Sequence, residues 1–223
     1  INPKPNNLTF EQAAAFHTAY LTAYVSLVRR GNLTKGEALL VHGSTGGVGM
    51  AAVQLGKYLG ATVIATGTSE EKLEFTKKWG ADHTLLTHKD NIVDFRDEVK
   101  DITNGKGADV IYDPVGGDVF DHSIRCINWG GRLLVVGFAS GRIPNFSINM
   151  ALIKGFSVIG VRAGEYGRKD PKAGIENNNA IRKICEEGHF SPYICKEFDL
   201  KDAKDAIHFL SERKLVGKVI IKA

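Results

Sequence analysis

Two hydrophobic spacings alternate along this chain. Short continuous apolar runs such as Ala38-Leu-Leu-Val41 and Thr62-Val-Ile-Ala-Thr66 are each followed by a stretch whose apolar residues recur three or four positions apart, as Val48, Ala51, Ala52, Leu55 and Leu59 do. The first spacing suits a parallel strand buried on both faces, and the second suits a helix with one apolar side. Thr9-Phe-Glu-Gln12 is a capping box and predicts a helix over 10–28, because the Thr9 hydroxyl and Gln12 amide can satisfy backbone donors left free at a helix start. After the strand at 38–41 come a helix over 48–59 closed by Gly60, a strand over 62–66 and a second capping box built on Thr68 and Glu71. That box opens a helix running to Trp79 and closed by Gly80, before a strand over 83–86. Helix 92–103, strand 109–112, helix 119–127 and strand 132–136 continue the series.

The pattern loosens after Gly137. It predicts a loop carrying Gly141 and Pro144, a short helix over 148–153, a strand over 156–161 bounded by Phe156 and Val161, and a loop over 164–174. Helix 178–187, strand 194–198, helix 201–212 and strand 218–221 complete the chain. Strands separated by helices fold by right-handed crossovers into a parallel sheet covered on both faces, so the fold class is α/β, a Rossmann-type doubly wound parallel sheet. Residues 1–162 are read as the nucleotide-binding domain with its leading helix, and 163–223 as a C-terminal segment. No internal repeat or low-complexity tract is visible.

Composition narrows the class without choosing a function. With 223 residues, 43% hydrophobic and 24% charged, the chain has the balance of a globular protein with a substantial core. The net charge of +4 comes from scattered Lys and Arg with acids nearby, such as Glu70, Glu71 and Glu74 around Lys72. That is a solvated surface rather than a nucleic-acid stripe. No apolar run reaches the ~18 residues of a membrane span. Cys126, Cys185 and Cys195 form no C-x-x-C pair; they are expected to be reduced thiols, which favours a cytoplasmic protein, with the mitochondrial matrix as the other reducing compartment.

The chemistry is concentrated in Val41-His-Gly-Ser-Thr-Gly-Gly-Val-Gly49, between the first strand and its helix. A pyrophosphate needs a tight turn, close backbone approach and a helix N-terminus whose free amides and dipole face the anion. Gly46 and Gly47 permit the approach, and Gly49 lets helix meet strand. Ser44 stands where a G-x-G-x-x-G fingerprint has its first glycine, so strand before and helix after carry the assignment. The competing reading is a glycine-rich turn without ligand. NAD-specific folds place an acid at the end of the second strand to bond the ribose hydroxyls. Here that position is Gly67, with Ser69 and Lys72 on the following turn, which leaves room for a 2′-phosphate and points to NADPH.

Over nearly its whole length the chain resembles the zinc-free, zeta-crystallin-like quinone oxidoreductases of the medium-chain dehydrogenase/reductase superfamily. The matching segments are Gly43-Ser-Thr-Gly-Gly-Val-Gly49, Leu21-Thr-Ala-Tyr24, Gly80-Ala-Asp82, Tyr112-Asp-Pro-Val-Gly-Gly117, Gly130-Gly-Arg-Leu-Leu-Val-Val-Gly137 and Gly217-Lys-Val219. The resemblance implies a cofactor site containing Ser44, Thr45, Gly46, Gly47, Val48, Gly67, Ser69 and Lys72. It places Thr22 beside the nicotinamide, Val136, Gly137 and Phe138 along its ring, and Val115 and Gly116 near the ribose. Arg213 would reach the 2′-phosphate, and Thr87, where many relatives carry Tyr, would border the adenosine with His88 as a substitute. Read from the residues alone, Thr22 is a mid-helix threonine bonding a preceding carbonyl, and Lys72 and Arg213 are ordinary surface charges.

In zinc-dependent members of that superfamily a catalytic Cys stands about four residues before the equivalent of Thr22. Here the position is Thr18, beside His17, so no metal mechanism is expected. The resemblance further implies an N-terminal catalytic domain that this chain lacks, and hydride transfer from NADPH to a quinone or an α,β-unsaturated carbonyl. It also implies a small-molecule substrate and a homodimer through strand 156–161. Two other readings stay open: a nucleotide-binding module without turnover, and an enoyl-thioester reductase. The fragment alone is expected to be poorly active.

Overall fold

Ala38–Val41, the central strand β1, has all four side chains buried. In a computed structural model that describes residues 3–87, 94–212 and 215–223, alternate residues of this strand supply two separate cores. Leu39 and Val41 join Val63, Ala65, Val110 and Leu134 on one face, and Leu40 joins Ile64, Ile111 and Leu133 on the other. The first face is covered by α1 (Phe10–Tyr24), α2 (Gly47–Tyr58) and α8 (Pro171–Glu186), the second by α4 (Arg96–Ile102) and α5 (Gly117–Ser123). A strand apolar at every position must be covered twice, and two helical layers provide that.

The remaining strands are β2 (Thr62–Gly67), β3 (His83–Leu86), β4 (Ala108–Asp113), β5 (Ile127–Val135) and β6 (Ser157–Gly160), with α3 (Glu70–Lys78) and α6 (Asn149–Lys154) between strands. They form a six-stranded, wholly parallel sheet in the order β3-β2-β1-β4-β5-β6. This is the Rossmann-type doubly wound arrangement. The order reverses between β1 and β4, so the loops leaving those two strands run to opposite faces and open a crevice at their C-terminal ends. After β6 come α7 (Ala163–Lys169), α8, β7 (Ile194–Asp199), a 3₁₀ turn at Leu200–Asp202, α9 (Ala203–Ser211) and β8 (Lys218–Lys222). Strands β7 and β8 pair in parallel as a second, small sheet.

Several elements differ from the sequence pattern. The helix expected over 10–28 keeps its α form only to Tyr24 and then widens into a π-helical stretch, Val25–Arg30, where the Gly31 amide reaches back to Ser26 O. The Thr9 capping box forms as read. The second box does not: Ser69, not Thr68, is the N-cap, its hydroxyl accepting from the Lys72 amide. The segment 164–174 is not a loop but α7 and the first turn of α8, with Asp170 capping α8 and Pro171 at its first position. Glycines at 164, 167 and 174 hid this helix pair; Gly167 and Gly174 are where the two helices touch, a β-carbon on Gly174 standing 3.0 Å from Gly167 Cα. Strand β5 starts at Ile127, where helix was expected, and α5 ends at Ser123. Of the helix expected over 92–103, residues 92 and 93 lie outside the described residues.

Candidate functional site

Because the six strands are parallel, the loops after β1, β2, β4 and β5 all leave from one edge of the sheet. This edge carries most of the residues singled out in the sequence. The first loop begins at His42, whose amide extends the β1–β4 pairing by bonding Tyr112 O at 3.0 Å. Ser44 is fully buried, and its amide and hydroxyl both donate to Thr66 O, at 3.0 and 2.9 Å. Its hydroxyl therefore anchors the loop to β2 and is not turned toward the crevice. Gly46 is the N-cap of α2 in extended conformation and uses no side chain for capping, so the amides at the start of α2 stay available to an anion. Gly49 is required by packing: a β-carbon there would overlap Gly43 O and lie 2.7 Å from Ser44 Cα.

The second loop, Pro114 to Gly117, is shaped by Asp113. This buried carboxylate accepts the amides of Val115 and Gly116 through Oδ1, at 2.8 and 2.9 Å. Burial pushes its pKa up to about 6 against the pull of those two amides. Gly116 adopts φ 66°, ψ −155°, a region open in practice to glycine alone. Val115 faces the first loop, since a β-carbon on Gly43 would lie 3.2 Å from Val115 Cγ2, and the Phe138 ring lies 3.0 Å from where Gly116 would carry one. Val136 and Gly137 bond Asp113 O through their amides, at 2.9 and 3.3 Å. The glycine loop, the Val115–Gly116 loop and the turn from Val136 to Phe138 thus form one continuous wall.

At the end of β2, Gly67 is buried, and a β-carbon on it would meet Leu73 at 3.1 Å and Thr45 at 3.5 Å. Lys72, on the first turn of α3, has its pKa lowered by burial. It lines a cleft of about 400 Å³ with Phe75, Tyr193 and Cys195, on the side of α3 facing the C-terminal segment. Thr87 is buried with its hydroxyl donating to Gly67 O at 3.1 Å, so it braces β2. Thr22 makes the local bond that its helix position suggested, its hydroxyl donating to Thr18 O at 2.7 Å. His17 Nε2 lies 3.0 Å from Asn178 Oδ1. His88 and Arg213 lie outside the described residues. Among the described residues no helix is long and apolar enough to cross a membrane.

Two site residues were invisible as chemistry in the sequence. Lys218 appeared there only within a matching segment. The fold brings it onto the glycine loop: Gly217 N donates to Thr45 O at 2.8 Å, and Gly46 and Gly217 form a β-bridge. The Lys218 side chain then crosses Gly47, its Nζ 3.0 Å from where a β-carbon on Gly47 would stand. Burial lowers its pKa, and the ammonium has no hydrogen-bond or ion-pair partner among the described residues. Asp113 was likewise read only as part of a motif; an acid ending an apolar strand and followed by Pro and two glycines was the available signal.

The zinc-binding dehydrogenase family model matches residues 47–177, more than half of the chain. The chain is 36% identical over 218 residues to a quinone oxidoreductase-like protein 2 homolog of Nematostella vectensis, covering 97% of this chain and 59% of the relative. A mycobacterial structure, Rv1454c complexed with NADPH, superposes with a TM-score of 0.90 at 28% identity over 98% of this chain and 66% of that one. The CurK enoyl reductase superposes with a TM-score of 0.86 at 26% identity over 99% of this chain and 65% of that one. The chain spans about three fifths of the length of the quinone oxidoreductase-like protein 2 relatives it matches.

Proposed function

The chain belongs to the zinc-binding dehydrogenase family, and from that premise we propose that it is the cofactor-binding part of an NADPH-dependent oxidoreductase that transfers hydride to a quinone or an α,β-unsaturated carbonyl. One observation carries the reading. The uncapped N-terminus of α2 opens at the sheet's switch point between β1 and β4, where doubly wound sheets bind dinucleotides, and the Lys218 ammonium, without a hydrogen-bond or ion-pair partner among the described residues, stands over it. The residues fit the group: Gly46 and Gly47 leave the backbone bare where a pyrophosphate would lie, and Gly67 puts no carboxylate where a 2′-phosphate would lie. The resemblance to an NADPH complex supports the same cofactor.

Bound NADPH supplies the hydride. This chain's residues would hold the pyrophosphate with the Gly47 and Val48 amides and Lys218, the Gly46 amide being bonded to Gly43 O. Val115 and Gly116 would flank the ribose, and Val136, Gly137 and Phe138 would shield the ring from water. Ser69 and Lys72 would take the 2′-phosphate. Thr22 would stand at the nicotinamide end through its free lone pairs, since its proton is committed to Thr18 O. Such a site works by holding donor and acceptor in position, with no protein nucleophile. A metal-free mechanism is proposed because position 18 offers a hydroxyl in place of a thiolate and His17 already bonds Asn178. The division at 162/163 and a homodimer through the unpaired edge of β6 belong to the same proposal.

The likeness to an enoyl reductase favours a second acceptor class, enoyl thioesters. NADPH oxidation by the full-length protein, measured with a quinone panel and with enoyl thioesters, separates the two. Faster turnover of quinones is the expected result. Preference for the thioester would move the assignment to the second reading, and NADPH binding without oxidation by either acceptor would leave a nucleotide-binding module.

A further inference from the structure

The groove of about 320 Å³ between α1 and α8, and the apolar surface around Trp129 and α6, offer no feature that selects an occupant. The buried polar cluster of His42, Thr66 and Ser123 does carry an argument.

His42 follows β1 directly and is wholly buried. Its Nδ1 lies 2.8 Å from Thr66 Oγ1 and its Nε2 2.7 Å from Ser123 Oγ. The Ser123 hydroxyl donates to Val119 O at 2.7 Å, so it must accept from the imidazole. Nε2 therefore carries the proton and Nδ1 is bare, accepting the Thr66 hydroxyl proton. The hydrogen bonds of the cluster all run in one direction, from Thr66 through His42 and Ser123 to Val119. Burial holds the imidazole pKa down to about 3, so the ring stays neutral with its second nitrogen free to accept.

The ends of this relay matter more than its middle. Thr66 is the residue whose carbonyl anchors both the amide and the hydroxyl of Ser44 in the glycine loop. Ser123 closes α5, the helix that begins at Gly117 directly after Val115 and Gly116. Those two loops pack together at Gly43 and Val115 in one wall of the crevice, and no hydrogen bond joins them directly among the described residues. We infer that His42 is a positioning residue that fixes the glycine loop against α5, so that the two loops are set at one separation before cofactor binds. The inference rests on the cofactor reading above for its function, but the coupling itself is independent of any ligand. A fully satisfied buried network specifies one geometry, because each alternative leaves a polar atom without a partner.

The test uses Thr66→Val and Ser123→Ala, which remove the two ends of the relay while keeping His42 and the Thr66 carbonyl. Amide hydrogen exchange on the whole chain is the first readout. Thr66→Val, on the glycine-loop side, should speed exchange at Val115 and Gly116. Ser123→Ala, on the α5 side, should speed exchange at Ser44 and Gly46. The second readout is NADPH affinity, which each variant should weaken by about fivefold or more, the double variant no further than the worse single one. Loss of thermal stability with unchanged exchange at the far loop and unchanged affinity would reduce the cluster to a core contact and overturn the inference. If the parent chain bound no NADPH, the cofactor reading would fall, and the exchange experiment would still decide the coupling.

Discussion

The amide of Gly217 donates to the carbonyl of Thr45 at 2.8 Å, which stitches the last strand of the chain onto its glycine loop. That bond delivers the Lys218 ammonium to the positive end of α2, a place where a cation without an anion is disfavoured. Replacing it with Met should therefore weaken NADPH by about tenfold to a hundredfold, the worth of one charge-assisted bond. The melting temperature should hold or rise. Calorimetric titration and thermal unfolding check both, and unaltered affinity would remove Lys218 from the site.

Preference for NADPH over NADH should reside at the start of α3. Lys72→Ala should weaken NADPH by about tenfold or more and leave NADH unchanged. Gly67→Asp should disfavour NADPH by charge, although its β-carbon presses on Leu73 at 3.1 Å, so some stability should be lost with it. Equal affinities for the two cofactors in the parent chain would contradict the assignment.

Asp113 should give the fold a pH dependence in the acid range. Its pKa is raised from 3.8 to about 6, so the fold favours the protonated form. The stabilisation is complete below about pH 4, is lost as pH rises through 6, and stays lost above that. The difference corresponds to about 3 kcal/mol. Asp113→Asn keeps an oxygen for the Val115 and Gly116 amides and should remove this slope, leaving the variant more stable than the parent at pH 7.5 but not at pH 4. Denaturant unfolding at the two pH values measures the difference.

Strand β6 ends the sheet with one edge unpaired, and the exposed side chains of Trp129, Ile148, Leu152 and Ile153 lie on β5 and around α6, the elements next to it. A two-fold dimer through β6 should appear by light scattering at micromolar concentration. A well-folded monomer at that concentration would refute it.

The chain alone should bind NADPH yet oxidise it with quinone at well under ~1 per second, the lower end of ordinary enzyme turnover. The reason is that only one wall of a water-excluding cleft is present among these residues. Stopped-flow absorbance with saturating quinone is the measurement, and turnover above that rate would show the described wall to be sufficient.

The sequence by itself determined the strands, their parallel arrangement and the place of the glycine loop. Each rests on local signals: all-apolar runs like Ala38–Val41, helical spacing after them, and glycines where backbone must come close. The sequence misread 164–174 as a loop because its glycines resemble turn formers, while in the fold Gly167 and Gly174 let α7 and α8 touch. It also could not give the functions of Ser44 and Thr87, whose hydroxyls turn inward to brace β2. Nor could it bring Lys218 over Gly47 or His42 between Thr66 and Ser123. Those pairings join residues far apart in the chain, and no local pattern encodes them. They exist because parallel crossovers gather distant strand ends at one edge of the sheet, where burial makes a missing hydrogen-bond partner costly for groups such as His42, Thr66 and Ser123.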